Sequence, residues 1–193
     1  MRYSTDSRIS MDSIKSTRIG QSDGQRGLEQ VALLLVLGIF LFPPLLYAQV
    51  MGEEAELARL RAKAEEAIAN DDPDSAAMNM GRAALMAAQL AKKQDGFRRE
   101  IYKGTESLFR AQEHTYRAMA LFRRAGNQLP ASSGVCGSLA LAQGSLGHAV
   151  SSVAELPAPA PALRLIEDAT QLKESTENWQ TVIESMSNEY QCR

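Results

Sequence analysis

The sequence predicts an all-α protein, an antiparallel four- or five-helix bundle following an N-terminal signal or anchor segment. Three observations carry this expectation. After residue 48 alanine dominates, β-branched residues are few, and glycine and proline are confined to particular segments. Near the C-terminus, apolar residues recur at strict four-three spacing, the seam of a helix that packs on another helix. Upstream, twelve unbroken apolar or small residues, Val31 to Phe42, follow a basic leader and run into Pro43-Pro44.

Residues 1–30 are rich in Ser, Arg, Asp and Gln, lack a hydrophobic period and read as a disordered basic leader. Met11 is an alternative start to Met1. Residues 31–48 read as the apolar core and end of a secretory signal, which needs about 7–15 apolar residues. A spanning helix needs about 20. The paired prolines remove backbone donors and clash with the preceding turn, which argues against one continuous helix. Cleavage is expected between Ala48 and Gln49, with a retained membrane anchor as the alternative. The leader holds Arg2, Arg8, Lys15, Arg18 and Arg26, so an anchor would keep it in the cytoplasm. Either way, residues 49–193 are expected to form an exported domain, periplasmic or secreted. That domain would meet the membrane only through residues 31–48 if the signal stays uncleaved.

The expected domain holds 16 of the 21 basic and 19 of the 23 acidic residues. That balance provides no basic surface for phosphates, which argues against nucleic-acid binding. Both cysteines, Cys136 and Cys192, lie in this part. An even pair in an oxidising compartment is most simply a disulfide, and two unpaired thiols are the alternative.

Helix 1 is expected from about Glu53 to Ala69, with an apolar face of Leu57, Leu60, Ala64, Ala67 and Ile68. Asn70-Asp71-Asp72-Pro73 stops it, and an Asp there can cap the next helix. Helix 2, about Asp74 to Lys93, is crowded with alanine, and Lys92 and Lys93 suit the negative end of its dipole. Met78, Met80 and Met86 read as filler in a close interface rather than as soft-metal ligands. After Asp95-Gly96, helix 3 is expected from about Phe97 to Gly126. Phe97, Ile101, Leu108, Met119 and Phe122 share one face, with Tyr102, Phe109 and Tyr116 every seven residues beside it.

Ala118, Phe122, Ala125 and Pro130 have the spacing of the second helix of a tetratricopeptide repeat. Tyr102 and Phe109 fall where its first helix carries aromatics. Thirty-four residues earlier, Ala84, Ala88 and Ala91 are similar. The resemblance implies helical hairpins that bind other proteins. However, Thr105 and Glu106 replace the expected Leu and small residue, and Gln112–Thr115 has no turn former. One long rod is expected instead.

Leu129 to Gly134 reads as a loop, and helix 4 as about Gly137 to Ala154. Gly137, Ala140, Gly144, Gly147, Ser151 and Ala154 form a stripe of small residues beside a bulkier one of Leu139, Leu146, Val150 and Val153. Interior glycines cost about 0.5–1 kcal/mol each against alanine, so close packing on the small stripe is the expected compensation. Pro157, Pro159 and Pro161 form a stiff connector. Helix 5, about Ala162 to Tyr190, carries the seam Leu165, Ala169, Leu172, Thr176, Trp179, Ile183, Met186 and Tyr190. Antiparallel packing of helices 4 and 5 would bring Cys136 toward Cys192.

In residues 49–193 the chemistry-bearing patterns are absent: there is no HExxH, ExxH pair, CxxCH, GxSxG, P-loop or CxxC there. His114 and His148 stand on different helices. The expectation is therefore a non-enzymatic exported binding or adaptor protein of the cell envelope, with no metal and no cofactor. Its expected partner is a protein, met through an aromatic surface of Tyr102, Phe109, Tyr116, Trp179 and Tyr190, with a homo-oligomer through helix 5 also possible. A small-molecule or metal carrier using a groove between helices 2 and 4 is the alternative. A tetratricopeptide-like interaction scaffold is a further one.

Overall fold

Each break in the sequence becomes a break between helices. The structure is a computed structural model that describes residues 52–154, 156 and 162–192. The leader, the apolar run and the Ala48–Gln49 junction lie outside the described residues. Helix α1 spans 52–69, α2 Pro73–Lys93, α3 Gly96–Arg124, α4 Ser133–Ala154 and α5 Leu163–Glu189. No strand occurs among the described residues, and none of their helices is long and apolar enough to cross a membrane.

The starts and stops have local causes. Pro73 sits at the first position of α2, where its missing N–H costs nothing, and Asp72 caps it by accepting from the Ser75 amide at 3.0 Å. The chain leaves α3 through Gly126 and Asn127, both at positive φ (71° and 56°), where glycine and asparagine are tolerated. Helix α3 runs unbroken through Gln112–Thr115. The repeat hairpin implied by the tetratricopeptide resemblance is therefore not formed: without Gly or Pro, nothing there interrupts the hydrogen-bond ladder.

Helix α3 is the axis, and the others lie along it. Ion pairs from Glu53 to Lys93, and from Asp71 and Asp74 to Arg123 and Arg124, join opposite ends of the α1–α2–α3 run. Helices α1 and α3 therefore run one way and α2 the other. Along α5, Leu165 meets Phe97 and Ile101, Leu172 meets Gly104, Trp179 meets Tyr116 and Tyr190 meets Phe122. Helix α5 thus runs parallel to α3. Helix α4 opposes both, with Ser152 at Gly104 and Val135 and Leu139 grouped with Ala118.

The α5 seam forms as expected. Leu165, Leu172, Thr176, Ile183 and Tyr190 are buried, while Ala169, Trp179 and Met186 are half-buried. Its one polar member is satisfied, since the Thr176 hydroxyl donates to the Leu172 carbonyl at 2.7 Å. The seam packs against α3 and α4 of the same chain.

Helix α2 shows the close packing that its composition implies. Ala76, Ala83, Ala84 and Ala87 are fully buried. Opposite them α3 places Glu113, buried and held by Arg110 at 2.9 Å and Arg117 at 2.6 Å. Gly81 makes room for this carboxyl, because a β-carbon there would stand 3.0 Å from the Glu113 Cδ.

Helix α4 departs from expectation in register. Its buried arc is Val135, Ser138, Leu139, Ala142, Leu146 and Ala149. The whole stripe Gly137, Ala140, Gly144, Gly147, Ser151 and Ala154 is exposed, and nothing stands within 4 Å of a β-carbon at its three glycines. Of the bulky stripe, Leu139 and Leu146 are buried, Val153 is half-buried and Val150 is exposed. The two leucines take the interior because burial scales with apolar area, and a glycine has almost none to offer. Helices α2 and α4 also do not meet: each packs on α3. The expected groove between them does not form.

Cys136, in the first turn of α4, and Cys192, just past α5, have their sulfurs at bonding distance, with Cα atoms 5.3 Å apart. The junction is reinforced by the Ala131 amide, which donates to the Tyr190 carbonyl at 3.0 Å.

Candidate functional site

Where α1 and α5 both lie on α3, a half-open cleft of about 550 Å³ remains between them. It rests on fixed points. The Tyr102 hydroxyl donates to the Glu54 carboxylate, tying the first turn of α1 to α3. Leu60 and Ala64 anchor the same helix in the main core. On the other side, Leu165 packs with Phe97 and Ile101. Farther along, Trp179 meets the edge of Tyr116, with ring centroids 5.6 Å apart at 83°.

The floor is apolar: Ile101, Leu108 and Phe109 from α3, and Leu165 and Leu172 from α5, all buried. Leu57, Ala58 and Ala62 form the α1 wall. Thr105 turns its hydroxyl back to the Ile101 carbonyl at 2.9 Å, so it adds little polarity to the floor. Gln171 and Ser175 supply polar groups on the α5 side.

The rim is charged by Glu54, Arg61, Glu65, Arg98, Arg164 and Asp168. Arg61 holds Glu65 at 2.8 Å, and Glu54 is engaged by Tyr102. Arg98, Arg164 and Asp168 have no ion pair or side-chain hydrogen bond among the described residues. Burial, and then the Glu54 carboxylate, push the Tyr102 hydroxyl well above its ordinary range, so it stays protonated and donating.

The cleft lining holds carboxylates, arginines, hydroxyls and an amide, and no histidine or cysteine. Neither histidine lines it: His148 is exposed on α4, and His114 is half-buried on α3 with Nδ1 unpartnered. Burial holds His114 below its ordinary pKa, toward the neutral form. Among the described residues no three His, Cys, Asp or Glu gather as a metal site. The three methionines of α2 diverge, with Met80 buried, Met86 half-buried and Met78 exposed.

The five aromatics expected at a partner surface fall into three separate places. Phe109 is in the cleft floor and Tyr102 lines the cleft. Tyr116 is buried beneath Trp179, and Tyr190 is buried and stacked on Phe122 at 4.1 Å. Among the described residues these five form no continuous exposed face, because Tyr102, Phe109 and Tyr116 turn toward α1 and α5, and Trp179 and Tyr190 turn back onto α3. The residues missed from sequence are Arg98, Arg164 and Asp168. A signal for the arginines was present: both stand in the first turn of a helix, the end where the dipole disfavours a cation.

No protein-family model, curated protein or solved structure matches this chain.

Proposed function

We propose that the chain is an exported, non-enzymatic binding protein, a disulfide-tied helical bundle working outside the cytoplasm. The observation that carries export is the Cys136–Cys192 pair at bonding distance, since disulfides persist in oxidising compartments. The apolar run before Ala48 supports the same route. Binding rather than catalysis is supported by a cleft with an apolar floor and no paired nucleophile and base.

Within this reading an adaptor in the cell envelope would engage a protein partner. A carrier would hold a small ligand, and the α1/α3/α5 cleft favours the carrier because it is concave and of ligand size. The test of export is to fractionate cells and read the mature N-terminus by mass spectrometry. A product outside the cytoplasm, starting at Gln49 and without free thiols, is expected. A full-length chain in the cytoplasm with two reduced cysteines would overturn the reading.

A further inference from the structure

The cleft stays open because its walls are short. Protein interiors normally close a gap between helices with interlocking side chains. Here α1 offers Ala58 and Ala62 and α5 offers Ser175, leaving about 550 Å³ above the buried apolar floor. The polar groups around this space are largely engaged with one another. Tyr102 donates to Glu54, Thr105 donates to the Ile101 carbonyl at 2.9 Å, and Arg61 holds Glu65 at 2.8 Å. The rim sets three guanidinium groups, Arg61, Arg98 and Arg164, against three carboxylates, Glu54, Glu65 and Asp168. An entering ion of either sign meets a like charge for each opposite one, while giving up its own hydration. Arg98 and Arg164 are exposed and remain hydrated, so neither provides a buried counter-charge. An uncharged apolar molecule gives up no such hydration and gains by covering the floor. Gln171 and Ser175, on α5, are the uncharged polar side chains of the lining that no hydrogen bond engages among the described residues.

We propose that the cleft holds an uncharged, largely apolar molecule, seated on Ile101, Leu108, Leu165 and Leu172, with at most one hydroxyl or carbonyl group turned to Gln171 or Ser175. This assignment rests on the carrier reading of the cleft. The cavity, about 550 Å³, falls in the range of ligand sites, which are mostly apolar with a few polar groups that orient the ligand. Such a ligand is held by shape and apolar area, so its affinity is insensitive to the rim charges and to salt.

The experiment uses the full-length chain and calorimetric titration, below micelle formation, of matched probes in two shapes. Decanol and naphthalenemethanol are each compared with the corresponding carboxylate and ammonium ion, and decanol also with a decyl betaine. Stoichiometric binding of at least one alcohol is expected, at least tenfold tighter than its charged or zwitterionic counterparts. Replacing both exposed arginines, Arg98→Ala with Arg164→Ala, should change that affinity less than about twofold, as should raised salt. Ala62→Phe, on the exposed α1 wall, should fill the cleft and weaken the alcohol at least tenfold. Circular dichroism checks that this variant keeps its helices, and Ala58→Leu is the milder second filling. Alcohol binding that survives both fillings lies elsewhere, on the apolar run for instance, and overturns the proposal. A tenfold loss in the arginine variant overturns it too, because charge would then take part in recognition. A charged or zwitterionic probe that binds as tightly as the alcohols, and is blocked by the fillings, defeats the uncharged assignment and leaves the carrier reading standing. If no probe binds, both fail.

Discussion

Gly104 of α3 stands so close to Leu172 of α5 that a methyl group there would have to displace the tip of the leucine side chain. A β-carbon at residue 104 would lie 2.7 Å from Leu172 Cδ2 and 3.4 Å from Ser152 Cβ. Here α4 and α5 both close on α3, beside the cleft-floor residue Leu172. Gly104→Val should destabilise the protein by about 2–3 kcal/mol through overpacking. Leu172→Ala alone should cost about 2–4 kcal/mol as a cavity. Because each change relieves the other, the double variant should fall short of their sum by at least about 1 kcal/mol. Urea unfolding of the four proteins measures this, and strict additivity would show that the contact does not constrain the pair.

The glycines of α4 predict the opposite sign. Gly144 and Gly147 lie inside a helix with nothing within 4 Å of a β-carbon and no positive φ to require them. Gly144→Ala and Gly147→Ala should each stabilise the fold by about 0.5–1 kcal/mol, through a less flexible unfolded chain and better helix propensity. Thermal or urea denaturation gives the answer. A loss of stability in either variant would mean that the face is covered.

The disulfide closes a loop with a sequence separation of 56 residues and ends beside the Phe122–Tyr190 stack. Opening it should cost on the order of 4 kcal/mol by the loop-entropy estimate. Cys192→Ser should lower the urea midpoint accordingly. Amide exchange should rise first at the C-terminal turn of α5, where Cys192 and Tyr190 hold the chain end. An unchanged midpoint would show that the small core around Val135, Leu139 and Tyr190 suffices without the bond.

Helix order and most boundaries could be read from sequence because each break has its own chemistry: Asp72-Pro73, Asp95-Gly96 and Gly126-Asn127. The α5 seam was readable because its flanks are polar, leaving a single face to bury. Helix α4 was not, since it carries no Asp, Glu, Lys or Arg and so has no polar face to mark outside. With two apolar stripes to choose from, spacing favoured the glycines and buried area favoured Leu139 and Leu146. The cleft was beyond sequence reading altogether. It joins Leu57, Ile101 and Leu165 from three helices, and their relative rotations follow from packing and not from periodicity.

Alkaline pH should unfold this protein through its tyrosines. Burial, and then the nearby Glu65 carboxylate, push the Tyr116 hydroxyl up to about 12 from its ordinary 10.0. Burial also raises Tyr102 and Tyr190, reinforced by Glu54 and Glu189 respectively. A raised pKa means that the folded state keeps a proton the unfolded chain releases. The associated stability is therefore complete below the unfolded value and is lost as pH climbs from about 10 to 12. Tyr116 alone contributes on the order of 2–3 kcal/mol to that loss, as its side chain is almost wholly buried. Tyrosine ionisation followed by near-ultraviolet absorbance should therefore coincide with loss of helix followed by circular dichroism. In Tyr116→Phe the transition should move to higher pH. If the tyrosines instead ionise at their ordinary pH while the helices stay intact, burial is not what holds them protonated.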